Sequence, residues 1–159
     1  MNASPGVDDQ IRTALRRLAP DARRVLVATS GGSDSVAVLR ALAPDPGLDV
    51  VAAHLDHRLR PTSGEDAAWV ADTCADLGVP LAMDATDVRA VQADVGGNLE
   101  AVAREVRYAF LTRTAKAHGC DVVATAHTRD DQAETVLLQL LRGTAHPRGI
   151  EPRRGSVVR

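Results

Sequence analysis

The chain has 159 residues, 45% of them hydrophobic, which suits one domain with a buried core. Its 19 basic and 21 acidic residues give a net charge of −2, so the chain as a whole has no polyanion-binding charge. The isolated Cys74 and Cys120 do not suggest a disulfide framework, and no run reaches the roughly 18 apolar residues that span a bilayer. The first residues do not resemble a signal peptide. We therefore expect a cytoplasmic protein without membrane contact.

Apolar strand-like runs alternate with helical patterns along the chain. Strands are predicted over residues 25–29, 50–55, 80–84 and 121–126, and helices over residues 8–18, 34–43, 64–77, 98–118 and 130–142. Because the strand-like runs are continuously apolar, we expect both of their faces to be covered. The alternation predicts an α/β fold of three layers, a parallel twisted sheet with helices on both faces. Residues 85–97 form a long connection with room for a short helix, and residues 156–158 resemble the start of a fifth strand.

A glycine-containing loop joins the first predicted strand to the next helix. Its glycines allow a tight turn that points several N–H groups at one phosphate cluster, and the helix N-terminus adds partial positive charge. A Walker A loop and a dinucleotide-binding fingerprint are excluded, because the loop matches neither sequence motif. The alternative is a simple turn in which a side chain of the loop, that of Ser33 or Asp34, caps the helix. The loop consists of Ser30, Gly31, Gly32, Ser33, Asp34 and Ser35.

A histidine- and arginine-containing motif, H-L-D-H-R-L-R, follows the second strand at residues 54–60. His54 and His57 are either structural or part of a site, and no third metal ligand is spaced nearby. Arg58 and Arg60 either lie in a solvated loop or bind phosphate or RNA backbone. A lone histidine near a strand end is more often structural than catalytic, so the motif by itself favours the structural interpretation of the histidines.

The long helix that follows residue 98 carries two arginines. Asn98 is suited to cap it, and Arg104 and Arg107 lie three residues apart, so that both guanidinium groups share one face. Glu100 and Arg104 also have the spacing of a weak surface ion pair. The spacing alone favours that surface interpretation, whereas Arg107 would be functional if it faced the site.

The fourth strand is followed by the fourth motif, at residues 126–135, which opens the last helix. Asp131 and Glu134 are three residues apart and are expected to project together with His127. These groups could hold Mg²⁺, or bind an ammonium substrate and accept its proton, although acidic residues in a first turn also cap helices. Since ligands of open α/β sheets bind at the carboxyl ends of strands, the motifs predict one site. We expect four leucines to bury the rest of the helix: Leu137, Leu138, Leu140 and Leu141.

The four motifs, taken in order over residues 24–144, resemble the catalytic domain of the tRNA(Ile)-lysidine synthetases. The loop at residues 30–35 by itself resembles the wider PP-loop ATP pyrophosphatases, whose fold is Rossmann-like. The family's relatives among tRNA thiolases share the H-x-x-D-D-x-x-E-T element but also need cysteine pairs, which this chain lacks. The resemblance implies a single PP-loop domain over residues 1–159, with residues 1–20 as a helical extension. The family's C-terminal tRNA-binding domains are expected to be absent.

The resemblance also implies the reaction and its partners. ATP, with Mg²⁺, would adenylate C2 of the wobble cytidine in tRNA(Ile) with a CAU anticodon, and L-lysine would displace AMP to give lysidine. A homodimer is one assembly that the resemblance allows. The alternatives are another PP-loop tRNA-modifying enzyme, such as a thiolase, and a truncated or non-catalytic nucleotide-binding module.

Roles for individual residues follow from the same resemblance. The loop Ser30 to Ser35 would bind ATP, Asp34 would also place Mg²⁺, and His54 would be a weaker ATP contact. The implied catalytic residues are Asp34, Arg107, His127, Asp131 and Glu134. The implied contacts to substrate or tRNA are His57, Arg58, Arg60 and Arg104.

Overall fold

The computed structural model describes residues 6–60 and 62–159. These residues contain six helices and six strands. Five of these helices and four of the strands were predicted, and α4 occupies the long connection between β3 and α5. In chain order the elements are α1 (Val7–Leu18), β1 (Arg24–Ala28), α2 (Ser33–Leu42), β2 (Asp49–Asp56), α3 (Ser63–Asp76), β3 (Leu81–Ala85), α4 (Val88–Val95), α5 (Leu99–Ala117), β4 (Val122–Thr125), α6 (Arg129–Leu141), β5 (Arg153–Arg154) and β6 (Val157–Val158).

The strands form one sheet in the order β3-β2-β1-β4-β6-β5. All neighbouring strands are parallel except β5, which pairs antiparallel with β6 at the edge. β1 lies in the middle, where Leu26 is in register with Val51 of β2 and Val123 of β4. The predicted α/β fold with a parallel sheet is confirmed, except that the edge strand β5 is antiparallel. The fifth strand predicted to start at residues 156–158 is β6.

Alternate residues of the central strands point to opposite faces of the sheet, and helices cover both faces. Val25 and Val27 pack on one face together with Leu39 of α2 and Val70 of α3. Leu26 packs on the other face against Phe110 of α5. Both faces of β1 are therefore removed from water, which explains its continuous apolar run.

Side-chain caps fix where α4 and α5 begin. Asn98 Oδ1 accepts hydrogen bonds from the N–H groups of Glu100 (2.8 Å) and Ala101 (3.3 Å), as its sequence position predicted. Asp87 caps α4 in the same way, through the N–H groups of Arg89 and Ala90. In residues 6–60 and 62–159, no helix combines the length and the apolar character needed to cross a membrane.

The leucines of α6 are exposed, so the prediction that they bury the helix is wrong. Leu137 is 57% exposed, Leu138 41%, Leu140 52% and Leu141 83%. No residue of α6 is fully buried. The periodicity of the leucines identifies an apolar side of the helix, but burial also requires a neighbouring surface. The strands that follow α6 in the chain, β5 and β6, have only two residues each.

Candidate functional site

A cleft of about 390 Å³ opens at the carboxyl ends of β1, β2 and β4. Residues from all four sequence motifs line it, because the carboxyl ends of parallel strands meet at one edge of the sheet. The predicted site residues in its wall are Ser30, Gly32, Ser33, Asp34, Ser35, His57, Arg107, His127 and Asp131.

The loop after β1 is held by the side chain of Ser35, which is only 5% exposed. Its Oγ accepts from the Ser30 N–H (3.1 Å) and donates to the Gly32 carbonyl (2.8 Å). Gly31 has a φ of +90°, a backbone conformation that side-chain-bearing residues rarely adopt. Ser35 therefore braces the loop from inside, while Gly31 allows it to turn.

The N–H groups at the start of α2 have no hydrogen-bond acceptor among the described residues. α2 begins at Ser33, and its cap is Gly32 with no side-chain hydrogen bond, so the alternative of a cap by Ser33 or Asp34 is wrong. The first bond of the helix runs from the Val36 N–H to the Gly32 carbonyl (3.2 Å). The N–H groups of residues 33–35 precede it and have no helical acceptor. Together with the helix dipole they form an environment suited to an anion.

Asp131 combines a capping role with a place in the cleft wall. Its Oδ2 accepts from the Thr128 N–H (2.5 Å) and hydroxyl (3.0 Å), and the Asp131 N–H donates to Thr128 Oγ1 (3.2 Å). These bonds, from the Thr128 backbone and then its side chain, lower the pKa of Asp131. The carboxylate is thus ionised at neutral pH and gives the cleft a fixed negative charge.

Two half-buried histidines, His57 and His127, line the cleft. Burial, followed by the nearby charge of Arg107, lowers the pKa of His57. Burial, followed by the charge of Arg159, lowers the pKa of His127, whose Nδ1 lies 3.3 Å from Thr125 Oγ1. Because both pKa values fall below the ordinary 6.5, both rings are neutral at pH 7 and are able to accept a proton.

The free energy of unfolding is expected to increase with pH in a window just below 6.5, the ordinary pKa of histidine, and to level off above about 7. In that window the unfolded chain, with ordinary histidines, binds more protons than the folded chain, so raising the pH favours folding. Urea midpoints at several pH values measure this dependence. The His57→Gln/His127→Gln double variant should give a flatter curve, and an unchanged slope would contradict the assignment.

Three arginines surround Tyr108 beside the cleft. Arg107 lines the cleft, and its Nε is buried with no hydrogen-bond partner among the described residues. The guanidinium carbons of Arg104 and Arg107 lie 4.9 and 5.4 Å from the Tyr108 ring centre, and Arg159 donates to the Tyr108 hydroxyl (3.4 Å). Arg104 is exposed and lies outside the cleft wall. The predicted shared face of Arg104 and Arg107 is confirmed.

A smaller pocket of about 150 Å³ adjoins the cleft and holds the rest of the histidine–arginine motif. His54 is 3% exposed, and its Nδ1 lies 2.8 Å from the Thr29 carbonyl, while Nε2 has no partner among the described residues. Arg58 has a φ of 52°, and its N–H donates to Asp56 Oδ1 (2.7 Å). Arg60 forms an ion pair with Asp66 at 2.8 Å. His57 lines both pockets, whereas His54, Arg58 and Arg60 line only the smaller one.

Glu134 is exposed and does not line the cleft, unlike Asp131 one turn earlier. Within residues 6–60 and 62–159 no group of three His, Cys, Asp or Glu side chains is placed to hold a metal ion. Asp34, whose carboxylate lines the cleft, fits Mg²⁺ only as one ligand, because this ion commonly takes one or two carboxylates and completes its shell with substrate phosphates and water.

Several cleft residues were missed by the sequence reasoning. Thr29 directly follows β1, Thr125 ends β4, and Phe110 and Leu111 supply an apolar wall from α5. Arg159 follows β6, whose carboxyl end lies beside that of β4 because the two strands are parallel. The signal available for Arg159 was the strand-like Val157 and Val158 before it, which place it at the same sheet edge as His127.

A family model described as a PP-loop domain matches residues 5–153. Curated relatives named tRNA(Ile)-lysidine synthase include those of Deinococcus radiodurans (58% identical over 137 residues, 86% of this chain and 23% of the relative) and Thermus thermophilus (54% over 148 residues, 93% and 29%). The relative from Thermotoga maritima is 43% identical over 145 residues, covering 87% of this chain and 35% of its own. The chain thus spans about a quarter to a third of the length of these relatives.

Two solved structures share the fold. A U34-tRNA thiolase from Methanococcus maripaludis, with its 4Fe–4S cluster, has a TM-score of 0.72 at 19% identity and covers 87% of this chain and 50% of its own. An ammonia-dependent NAD synthetase from Campylobacter jejuni has a TM-score of 0.56 at 18% identity, covering 78% and 55%. At these identities the likeness concerns the fold alone.

Proposed function

The chain belongs to the PP-loop domain family, and on that premise we propose that it is the ATP-binding catalytic domain of a tRNA(Ile)-lysidine synthase. One observation carries the proposal: a single cleft combines the anion-binding loop with Arg107, His127 and Asp131. The names of relatives at 43–58% identity support tRNA(Ile) as the substrate. We take residues 1–159 as one PP-loop domain that acts in the cytoplasm, where tRNA and ATP meet. Its helical extension is taken as residues 1–20, of which residues 1–5 lie outside the described part of the chain.

The proposed reaction has two steps. In the first, O2 of the wobble cytidine attacks the α-phosphorus of ATP, and the bond to pyrophosphate breaks. In the second, the amine of L-lysine attacks C2, the C2–O bond breaks and AMP leaves, while the amine gives up a proton. The cleft must therefore hold phosphates, a cationic amine and a proton acceptor.

The loop residues Ser30 to Ser35 hold the triphosphate through N–H groups at the start of α2, with His54 as a weaker contact from the neighbouring pocket. Mg²⁺, when bound, neutralises phosphate charge, and Asp34 is the residue that would hold it. Arg107 stabilises the adenylate and the leaving AMP, because its guanidinium lines the cleft without a carboxylate partner among the described residues.

Residues at the start of α6 and just before it carry out the second step. Asp131 provides the negative charge that attracts the lysine, and Glu134, although outside the cleft, adds to that charge from the next turn. His127 is neutral at pH 7 and accepts the proton of the attacking amine. His57, Arg58, Arg60 and Arg104 lie around the two pockets, where they could contact the RNA; of these, Arg60 would first have to leave Asp66.

A thiolase is the runner-up, since one solved neighbour is a tRNA thiolase. It is not favoured, because the two cysteines of the chain pack on opposite faces of the sheet: Cys74 is buried with α1, α2 and α3, and Cys120 packs against the α5 side. Neither cysteine lines the cleft. A thiolase would predict transfer of sulfur rather than of lysine.

The test is incubation of the protein with ATP, labelled lysine and tRNA(Ile). We expect label in the tRNA and lysine-dependent release of AMP, both lost in the Asp34→Asn variant. Asp72→Asn, an exposed aspartate on α3, is the matched control and should retain both. ATP binding without AMP release would support the non-catalytic module instead. Gel filtration of the same sample tests for a homodimer.

A further inference from the structure

The segment of residues 144–150, here called the strap, is held along α6 by two glutamine side chains. Gln139 Oε1 accepts from the Arg148 N–H (2.7 Å), and its Nε2 donates to the Arg148 carbonyl (2.8 Å). Gln132 makes the same pair of bonds to Ile150, at 2.6 and 3.0 Å. Each amide thus binds one residue's backbone at both its donor and its acceptor, which fixes the path of the strap without burying apolar side chains.

The strap approaches α6 closely at Gly149. A Cβ added to Gly149 would lie far inside van der Waals contact with Gln132 Oε1, the atom that binds the Ile150 N–H. A side chain at Gly149 would therefore displace the Gln132 amide. The glycine and the two glutamines act together to keep the strap on the helix.

Two arginines, one at the end of α6 and one in the strap, have no carboxylate partner in the part of the chain that the structure describes. Arg142 and Arg148 are exposed, and the ion pairs of residues 6–60 and 62–159 involve other arginines, on α1, β1, α5 and the loop before α3. Residues 142–159 contain five arginines and one acidic residue, Glu151, in a chain that is acidic overall. Such an uneven distribution of charge is typical of a surface that binds a polyanion.

The strap is positioned beside the cleft. Gln132, which holds Ile150, directly follows Asp131 of the cleft wall. At the other end, Gln139 holds Arg148, and Arg142 is the C-cap of α6, three residues after Gln139 in the chain. If the target base of an RNA lies in the cleft, the phosphates of the neighbouring nucleotides would pass beside the strap.

We propose that the strap, with Arg142 and Arg148, is a docking surface for the phosphate backbone of the RNA whose base enters the cleft. This inference rests on the proposed function, which supplies the RNA. The glutamines hold the backbone of the strap before binding, so less conformational entropy is lost when Arg148 meets a phosphate. Phosphate contacts of this kind set position rather than base specificity.

The test compares two charge-matched double variants in binding a labelled RNA hairpin with a CAU loop. We expect Arg142→Gln/Arg148→Gln to bind several-fold more weakly and its plot of log affinity against log salt to lose roughly one unit of slope per phosphate contact. Arg17→Gln/Arg40→Gln removes the same charge from exposed positions on α1 and α2 and should bind like the wild type. Gln139→Ala, which removes no charge, should also bind more weakly.

Three outcomes would overturn the docking surface: no RNA binding by the wild type, unchanged binding by the Arg142/Arg148 variant, or an equal loss in the Arg17/Arg40 control. The first two outcomes would show that these arginines do not bind this RNA. The third outcome would show that the loss of affinity comes from the change in net charge and not from the position of the arginines. Lysine-dependent AMP release, measured in parallel, separates this proposal from the proposed reaction. If RNA binding depends on the strap while the wild type releases no AMP, the reaction is wrong and the surface stands.

Discussion

Asp131→Asn is expected to lower lysine-dependent AMP release by on the order of a hundredfold to a thousandfold, the loss typical of removing one preorganised electrostatic group. The substitution removes the fixed charge that, in the proposed reaction, attracts the lysine ammonium. The amide oxygen remains able to accept from the Thr128 N–H and hydroxyl, so the start of α6 is preserved. Single-turnover measurement of pyrophosphate release without lysine should show the first step within about tenfold of wild type.

Asp130→Asn is the matched control, because Asp130 occupies the same helical turn but is exposed and does not line the cleft. It should retain AMP release. Thr128→Ala tests the cap separately and should cost about 1 kcal/mol of stability with a smaller effect on the rate. Equal losses from Asp130→Asn and Asp131→Asn would show that charge near the helix start matters, rather than the position of Asp131.

Gly31→Ala is expected to weaken ATP binding by roughly tenfold to a hundredfold, since backbone strain of this kind costs about 1–3 kcal/mol. The space around Gly31 is sufficient: a Cβ would lie 3.6 Å from Val70 Cγ2 and 3.8 Å from Asp66 Cβ, ordinary contacts. The cost comes from the φ of +90°, which alanine rarely adopts. To relieve it the loop must turn differently, and its N–H groups then no longer converge on one phosphate cluster.

Gly64→Ala is the control for this variant. Gly64 lies in the first turn of α3 without a positive φ, and a Cβ there would meet no atom within 4 Å. Its ATP affinity should equal that of the wild type, and its unfolding temperature should be unchanged or slightly higher. Isothermal titration with ATP provides the measurement. Unchanged affinity in Gly31→Ala would show that the loop does not need this conformation to bind the nucleotide.

The sequence was most informative where local chemistry decides structure. Asn98 predicted the start of α5, the run around Leu26 predicted a strand covered on both faces, and Gly31 and Gly32 predicted a turn into a helix. Each of these depends on neighbouring residues in the chain. The order of the motifs after successive strands also predicted a shared edge, because parallel strands all place their carboxyl ends there.

The tertiary structure decided which side chains share a space. Arg104, Arg107 and Arg159 meet around Tyr108, although Arg159 is 51 residues from that ring in sequence. Glu134 was expected beside Asp131, yet only Asp131 lines the cleft. Helical spacing gives the angle between two side chains but not the surface that either one faces, which depends on how the helix leaves the sheet.

The sequence by itself determined the alternation of strands and helices, the phosphate loop and the family, because these follow from periodicity, glycine conformation and short motifs. Only the tertiary structure decided that the α6 leucines are exposed and that Gln132 and Gln139 hold the strap. It also decided that the charge of Arg159 lowers the pKa of His127. Burial, hydrogen bonds and charge interactions depend on distances between residues far apart in the chain, and those distances are fixed by packing on the sheet.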